Sequence, residues 1–305
     1  MQPVIGGGRK SIAIAMTTCN GERFLKEQLS SILAQTYPPS AIIICDDCST
    51  DGTVGILRDF SAQYPLIQYT VNPSRIGVIE NFKQVVSIAK ADYIALSDQD
   101  DVWKPWKLAV LAEKMKEIES GNLPAMVFSD LEVIDSNRKI LNPSFWNELG
   151  QDGYQHCFNT LLFGNFVTGC TILMNVRMQE HFAAIPSDAL MHDAWLGLIA
   201  YSFGEVGEVK EPLVQYRRHD SNLAYLSTYR KKTFPERVMN HLKSLLAKND
   251  FLEDQLSLVQ KFHDRYNGRF TDQQQRLIRE FLDLKHRSYL KKTIIFRAAF
   301  RPYRY

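Results

Sequence analysis

The chain has 305 residues, which suits two units of about 150 residues or one large α/β domain with an extension. Hydrophobic residues make up 45% of it and charged residues 23%, so a sizeable core is available and wholesale disorder is excluded. With 36 Lys and Arg against 34 Asp and Glu, the formal net charge is +2, which excludes the strongly basic character of a dedicated nucleic-acid binder.

The first 120 residues alternate between short apolar runs and amphipathic segments. The patterns predict strands over 11–18, 41–45, 66–71 and 91–96, and helices over 22–34, 53–62, 79–89 and 103–120. Such alternation predicts a doubly wound, mostly parallel sheet flanked by helices, in which ligands bind at the carboxyl ends of the strands. Three polar clusters, at 17–22, 46–53 and 98–101, follow predicted strands. We therefore expect an acidic site of phosphate size at that edge of the sheet.

The second half of the chain continues less regularly. Strands are predicted over 125–128, 171–174 and 208–216, and a helix over 192–201, while 140–160 is aromatic and irregular. From residue 234 onward the pattern is helical and rich in basic residues.

The apolar runs, the first ten residues and the cysteines together predict the cellular compartment. No apolar run reaches the roughly 18–20 residues that a transmembrane helix needs, and residues 1–10 lack the apolar core of a signal peptide and suit a flexible lead-in. The five cysteines form no disulfide framework. Cys45 and Cys48 make a C-x-x-C without a second pair or a nearby histidine, so we interpret them as reduced cysteines at a strand end. The protein is expected to be cytoplasmic.

Three carboxylates, Asp98, Asp100 and Asp101, fall within four residues directly after an apolar strand. Their mutual repulsion must be offset by solvent or by a cation. Two interpretations stay open: a solvated helix N-terminus, where acidic residues are favoured, or a Mg²⁺ or Mn²⁺ site completed by substrate phosphates.

Further polar residues also have two interpretations each. Asp46 and Asp47 suit either turn capping or recognition of a base N–H. Asp193 opens a predicted helix, as a cap or as a general base. His219 follows two arginines at a strand end and suits either an exposed surface position or a ligand of metal or phosphate.

Five motifs occur in a fixed order along the chain. They are T-T-C-N-G-E at 17–22, I-C-D-D-C-S-T-D-G-T at 44–53, S-D-Q-D-D-V-W at 97–103, M-H-D-A-W-L at 191–196 and Y-R-R-H-D-S-N at 216–222. Together they resemble family 2 inverting glycosyltransferases of the GT-A fold, in the form common among bacterial rhamnosyltransferases. Two positions depart from the general family pattern: Cys19 replaces an aromatic residue, and His192 replaces an acid, as it does in the rhamnosyltransferase-like subgroup.

The resemblance implies a role for each matching residue. Thr17 and Glu22 would line the nucleotide pocket, Asp47 would read the pyrimidine base, Asp98 would contact the nucleotide sugar, and Arg217 and Arg218 would offset phosphate charge. Asp100 would bind the metal, His219 would complete the metal or diphosphate shell, and Asp193 would deprotonate the acceptor. Trp103 or Trp195 would stack on a sugar face or belong to the core.

The implied reaction is a single displacement with inversion. One carboxylate base suffices, and a divalent metal, Mg²⁺ or Mn²⁺, offsets the charge of the departing diphosphate. The expected donor is dTDP-β-L-rhamnose, with a UDP-hexose as the alternative. The expected acceptor is a glycan, lipid-linked, in bacterial surface polysaccharide (O-antigen) synthesis. A non-catalytic nucleotide-sugar-binding or scaffold protein on the same fold is the alternative of another class.

The charge is distributed unevenly. Residues 230–305 hold 18 Lys and Arg and 8 Asp and Glu, a net +10, whereas residues 1–229 hold 18 and 26, a net −8. We divide the chain into a catalytic domain over 11–229 and a helical region over 230–305. The catalytic domain has a nucleotide-sugar half at about 11–120 and an acceptor half at about 121–229.

The basic end of the chain has several interpretations. Tyr289, Ile294, Ile295, Phe296 and Phe300 fall on one helical face. That helix packs on its own domain or lies on the anionic inner face of the cytoplasmic membrane. A third interpretation is a tail that binds nucleic acid. We nevertheless do not expect nucleic acid to be a partner. Residues 251–281 alternatively offer a surface for homo-oligomers.

Overall fold

The computed structural model describes residues 9–189, 191–219 and 252–299. The strands are β1 (Ile12–Thr18), β2 (Ala41–Asp46), β3 (Ile67–Val71), β4 (Tyr93–Ser97), β5 (Val102–Trp103), β6 (Ala125–Ile134), β7 (Ile140–Asn142), β8 (Leu173–Asn175) and β9 (Glu205–Arg217). The helices are α1 (Leu25–Leu33), α2 (Thr53–Gln63), α3 (Val78–Ile88), α4 (Lys107–Ile118), α5 (Phe145–Leu149), α6 (Phe158–Phe163), α7 (Val176–Gln179), α8 (His192–Phe203), α9 (Glu253–Tyr266), α10 (Asp272–Leu282) and α11 (Tyr289–Ala299). Predictions for 1–8, for 220–251 and for Phe300 lie outside the described residues.

The described strands form one sheet in the order β3-β2-β1-β4-β8-β6-β9-β5, with β7 paired to β6. The first four strands of this order are all parallel, as the alternating pattern predicted. The strand β8 lies between β4 and β6 and runs antiparallel to both. It thus joins the four parallel strands to a second parallel pair, β6–β9. The predicted α/β class, a mostly parallel sheet flanked by helices, is confirmed.

Alternate residues of β1 enter two different cores, one on each side of the sheet. Ala13 and Ala15 lie in the core on the side of α3 and α8, and Ile12, Ile14 and Met16 lie in the core on the side of α1 and α4. This alternation follows from the two-residue repeat of a strand. Because both faces of β1 are buried, its sequence is a continuous run of apolar residues.

The predicted helix over 103–120 is wrong at its start. Val102 and Trp103 form the short strand β5, antiparallel to β9, and the amide of Lys104 continues this pairing by donating to the carbonyl of Leu213 at 3.0 Å. The helix α4 begins only at Lys107, after Pro105. The segment 140–160, predicted as irregular, contains β7, α5 and part of α6.

The C-terminal helices pack on the side of the sheet that holds α6 and α8. Phe262 of α9 meets Trp195 of α8 edge to face at 5.3 Å, and Phe281 of α10 meets Phe163 of α6 at 4.9 Å. Their buried side chains belong to the same apolar cluster as those of α8. Within the described ranges, no helix combines the length and apolar content required to cross a bilayer.

Candidate active site

The three polar clusters predicted at strand ends meet in the structure, because β1 lies between β2 and β4. At the end of β1, the Thr18 hydroxyl donates to the carboxylate of Asp46 at 2.7 Å. The side chain of Gln99, after β4, accepts from the amide of Cys19 at 2.8 Å and donates to its carbonyl at 3.0 Å. Two loops from neighbouring strands therefore fix the turn that follows β1.

Glu22 and Thr17 lie on either side of this turn. The carboxylate of Glu22 is exposed and accepts from the amide of Gly52 at 2.8 Å, so it ties the turn after β1 to the start of α2. Thr17 is 8% exposed at the end of β1. Gly21 has no room for a larger side chain, since a Cβ there would lie 2.2 Å from the side-chain oxygen of Gln99.

Asp47 orders the loop that precedes α3. One carboxylate oxygen accepts from the amide of Ile76 at 2.8 Å and from the side chain of Asn72 at 3.2 Å, and the other accepts from the amide of Gly77 at 3.0 Å. Gly77 has a φ of +87°, a value that favours glycine. Asp47, which was predicted to recognise the base, thus already accepts hydrogen bonds from three protein donors, and it shapes the rim of the site.

A partly buried acidic cluster follows β4. The carboxylates of Asp98 and Asp101 and the thiol of Cys170 each place one atom within 4.8 Å of the others. Burial raises the pKa of Asp98 well above its usual range, and repulsion from Asp101 and Asp100 adds to the effect. The pKa of Asp101 is raised in the same way, by burial and by Asp100. These groups need a cation nearby to stay ionised together.

Lys107 places one ionisable amine of the protein itself near this cluster. Its side chain is fully buried, its ammonium donates to the carbonyl of Cys170 at 2.6 Å, and it lies 3.2 Å from the ring centroid of Trp103. Burial lowers the pKa of Lys107 to about 7, while Asp101 and Asp98 favour its charged form. The Lys107 amine therefore lies beside Cys170, a member of the cluster.

The two predicted metal ligands come together. Nε2 of His219 lies 2.9 Å from a carboxylate oxygen of Asp100, and the His219 ring rests on Phe24 at 5.1 Å. Both side chains are partly buried. Carboxylate oxygens suit Mn²⁺ or Mg²⁺, and an imidazole nitrogen is the less typical ligand of the two groups for either ion. The residues present therefore fit the divalent cation that the family resemblance implies.

The two predicted phosphate-binding arginines make different contacts. Arg217 is 1% exposed; its guanidinium donates to the carbonyls of Asp100 at 2.9 Å and Ser136 at 3.1 Å and pairs with Glu27. Arg218 is partly buried and donates through both terminal nitrogens to the two carboxylate oxygens of Glu148, at 3.1 and 3.2 Å. Arg217 thus holds the backbone of the acidic loop in place.

Asp193 lies in the first turn of α8, and it is not the helix cap, because Met191 occupies that position. Its carboxylate accepts from the side chain of Asn165 and from the amide of Gly169, each at 3.0 Å. Burial raises its pKa to about 6 against these hydrogen bonds. Its charge also contributes to the raised pKa of Asp98. Gly169 directly precedes Cys170, which lies beside Asp98, so the two carboxylates belong to neighbouring parts of the site.

The other aromatic and histidine residues of the motifs are in the core. His192 is 2% exposed, its ring lies 4.2 Å from that of Phe82, and burial lowers its pKa to about 4. Trp103 and Trp195 are 2% and 0% exposed. Stacking of either tryptophan on a sugar is therefore wrong, since neither ring presents a free face.

Sequence reasoning missed several residues of the site. Asn165 and Gly169 hold Asp193 from 28 and 24 residues away in sequence. Lys107 lies only six residues after Asp101, but its contact with the carbonyl of Cys170 is long-range and has no sequence signal. Tyr216 lies in a recognised motif; burial raises its pKa, and Asp101 and Asp100 add to the shift, so its hydroxyl is near the acidic cluster. Only Tyr216 had a local signal, its place in the Y-R-R-H-D-S-N string.

A family model described as "Glycosyl transferase family 2" matches residues 13–178, more than half of the chain. The chain belongs to this family. It is 30% identical over 215 residues to an uncharacterized protein of Mycobacterium tuberculosis, covering 68% of this chain and 59% of that relative. The chain therefore spans less than two thirds of that relative's length.

Two further similarities bear on fold and family. The "dTDP-rhamnosyl transferase RfbG" of Shigella flexneri is 26% identical over 268 residues, which cover 79% of this chain and 88% of RfbG. Among solved structures, S. aureus TarS 1–349 in complex with UDP has a TM-score of 0.60 at 13% identity, with 95% of this chain and 78% of that chain covered. The likeness to TarS shows the fold alone, and it confirms the expected GT-A architecture.

Proposed function

We propose that the protein is an inverting glycosyltransferase that moves a sugar from a nucleoside diphosphate donor to a glycan acceptor. One observation carries the proposal. One buried carboxylate, Asp193, is held by Asn165 and Gly169, and Gly169 directly precedes Cys170 of the cluster that contains Asp98 and Asp101. Inversion needs one such base, whereas a glycosidase needs two carboxyl groups across the scissile bond.

The chemical step is assigned to Asp193. The acceptor oxygen forms its bond to the anomeric carbon while the bond from that carbon to the diphosphate breaks, and the hydroxyl proton passes to the Asp193 carboxylate. A pKa of about 6 leaves this carboxylate ionised at neutral pH and makes it a stronger base than an exposed aspartate. The donors from Asn165 and Gly169 keep it oriented towards the acceptor.

A divalent cation, Mg²⁺ or Mn²⁺, would be held by Asp100 and His219 and would offset the charge of the leaving diphosphate. Asp98 is proposed to contact the nucleotide sugar beside it. Arg217 fixes the Asp100 backbone, and Thr17, Glu22 and Asp47 shape the pocket for the nucleotide. We propose that Arg218 contacts phosphate only after its ion pair with Glu148 breaks.

The proposed donor is dTDP-β-L-rhamnose, supported by the motif resemblance and by the name of RfbG. A UDP-hexose is the second candidate, because the motifs indicate the family more specifically than the sugar. The acceptor is proposed to be a lipid-linked glycan in the synthesis of a surface polysaccharide. Both donors carry a pyrimidine diphosphate, so the sugar rather than the base must distinguish them.

The test is a panel of nucleotide sugars with Mg²⁺ or Mn²⁺ present, read as nucleotide release with and without a lipid-linked acceptor. We expect dTDP-rhamnose to give the highest turnover. Asp193→Asn should reduce turnover about 10²- to 10⁴-fold while donor affinity changes little, because only the base is removed. Asp188→Asn, at an exposed carboxylate of the preceding loop, is the matched control and should keep wild-type turnover.

Two results would contradict parts of this proposal. Wild-type turnover in Asp193→Asn would show that another group is the base. If the wild-type protein binds nucleotide sugars but turns over none of them with any acceptor, the scaffold alternative is correct.

A further inference from the structure

The helix α11 presents an apolar face to solvent instead of to the protein. Ile294 and Leu290 are 67% and 60% exposed, which makes them the most exposed large apolar side chains of the described residues. Ile295 on the same helix is 40% exposed. Exposed apolar residues that cluster in this way mark an interaction surface, whereas isolated ones do not.

Apolar and basic side chains share the outward side of this helix. At 3.6 residues per turn, the exposed residues Leu290, Lys291, Ile294, Ile295 and Arg297 fall within an arc of about 160°. The opposite side packs against the protein: Lys292 is 6% exposed, and Phe296 contacts Phe163 of α6 with ring centroids 6.2 Å apart. The prediction that Phe296 shares one helical face with Ile294 and Ile295 is therefore wrong. The apolar outer face is therefore fixed by the fold.

The surroundings of this face are positively charged. Residues 285–299 contain five Lys and Arg and no Asp or Glu. Arg287 pairs with Asp283. Lys285, Lys291 and Arg297 are exposed and form no ion pair with any carboxylate of the described residues. An exposed apolar strip with basic residues beside it matches the interface of an anionic bilayer.

We propose that this outer face of α11, here called the membrane face (Leu290, Lys291, Ile294, Ile295 and Arg297), binds anionic phospholipid surfaces. Leu290, Ile294 and Ile295 enter the boundary between headgroups and acyl chains, and Lys291 and Arg297 contact the phosphates. A second copy of the chain fits less well, because a two-fold contact would bring the same basic residues together. This proposal does not depend on the proposed enzymatic activity.

The test is sedimentation of the full chain with vesicles of phosphatidylcholine, with and without phosphatidylglycerol. We expect binding to the anionic vesicles and much weaker binding to the neutral ones. Raising the salt from about 0.1 M to about 1 M should weaken the anionic binding, since the screening length falls from roughly 10 Å to 3 Å.

Two double variants separate the apolar and charged contributions. Leu290→Gln with Ile294→Gln should reduce binding at least tenfold. Lys291→Gln with Arg297→Gln should reduce binding to anionic vesicles by roughly 25-fold, about fivefold per charge, and leave neutral vesicles unaffected. The matched controls are Ile88→Gln with Leu123→Gln, which are 43% and 44% exposed elsewhere, and Arg58→Gln with Lys116→Gln.

The proposal is wrong if the wild-type chain fails to sediment with anionic vesicles, or if either control pair lowers binding as much as its counterpart. It is also wrong if analytical ultracentrifugation shows a dimer that Leu290→Gln with Ile294→Gln dissociates, since the face would then be a contact between copies. Unchanged circular dichroism of the variants establishes that they are folded.

Discussion

Asp193 combines two opposing influences on a single carboxylate. Burial favours its neutral form and raises its pKa to about 6, while the donors Gly169 and Asn165 favour its charged form. The balance leaves a base that is ionised at neutral pH and still has a useful affinity for a proton. An exposed aspartate, with a pKa near 3.9, would be ionised but weaker.

This balance predicts the pH dependence of transfer. Because the base must be deprotonated, kcat/KM should be constant above the pKa and fall about tenfold for each pH unit below it. Steady-state rates on the unmodified enzyme should therefore show an acidic limb near pH 6. A limb near pH 4 would mean that Asp193 is not the titrating base, and Asp188→Asn should leave the profile unchanged.

Gly169, whose amide holds Asp193, has closely packed surroundings. A Cβ at this position would lie 2.7 Å from Nε2 of His192 and 3.7 Å from a carboxylate oxygen of Asp193. Since His192 is enclosed by the core, it cannot move without cost.

We therefore expect Gly169→Ala to destabilise the protein by about 1–3 kcal/mol and to lower kcat, because the amide that holds Asp193 shifts. Urea unfolding and steady-state rates measure the two effects. Gly55→Ala is the matched control: nothing lies within 4 Å of its added Cβ in α2, so it should be neutral or stabilising by up to about 1 kcal/mol. Equal stability of the two variants would contradict the close packing at Gly169.

At the scale of elements, α5 depends on one buried carboxylate. Asp130 of β6 accepts from the hydroxyl of Ser144 at 2.5 Å and from the amides of Phe145 and Trp146, each at 3.1 Å. These amides are at the start of α5 and have no partner within the helix. The same helix carries Glu148, which binds Arg218. Asp130 thus positions an element that borders the site.

Asp130→Ala should cost about 3 kcal/mol, because it removes hydrogen bonds to a charged acceptor and leaves buried donors unsatisfied. Fluorescence of Trp146 should change as α5 loses its anchor, and both quantities can be followed in one denaturant titration. Asp152→Ala serves as the control, since Asp152 makes one exposed bond to Asn147, and it should change stability by less than about 0.5 kcal/mol. A small effect at Asp130 would show that α5 is held by apolar packing alone.

Elements with strong local patterns were predictable from the sequence. The strands β1, β2, β3 and β4 are within two residues of their predicted bounds. Burial on both faces gives β1, β2 and β4 continuous apolar runs, whereas β3 is an edge strand in which only Ile67 is buried. The strand β5 was not predictable, since two residues carry no periodicity and their pairing partner β9 is over 100 residues away. The antiparallel placement of β8 is likewise set by its neighbours in space.

In the candidate active site too, what local sequence patterns indicate differs from what long-range packing determines. The family resemblance implied roles for Asp100 and His219 at one metal or diphosphate, and their side chains lie 2.9 Å apart. The partners of Asp193 and the buried ammonium of Lys107 were not predicted, because nothing local in the sequence marks a residue whose role comes from long-range packing. Burial also reassigned Trp195, which the sequence alone left open between core and sugar contact.

At the scale of the whole molecule, the basic C-terminal region and the acidic remainder are joined through a shared core. The apolar cluster that contains Trp195 and Ile199 of α8 also contains Val259 and Phe262 of α9 and Phe281 of α10. The sequence split at residue 230 follows the charge, whereas the packing continues across it. We therefore expect the C-terminal helices to unfold together with α8.

Phe262→Ala tests this coupling. Phe262 is fully buried and packs on Trp195 with ring centroids 5.3 Å apart, so its loss should cost about 3–5 kcal/mol. If the helices and the sheet form one cooperative unit, tryptophan fluorescence and far-UV circular dichroism should shift together to lower denaturant. Ile294→Ala, at a side chain 67% exposed, is the matched control and should change stability by less than about 0.5 kcal/mol. Two separate transitions in Phe262→Ala would show that residues 252–299 form an independent unit, because only a shared core transmits the loss to the sheet.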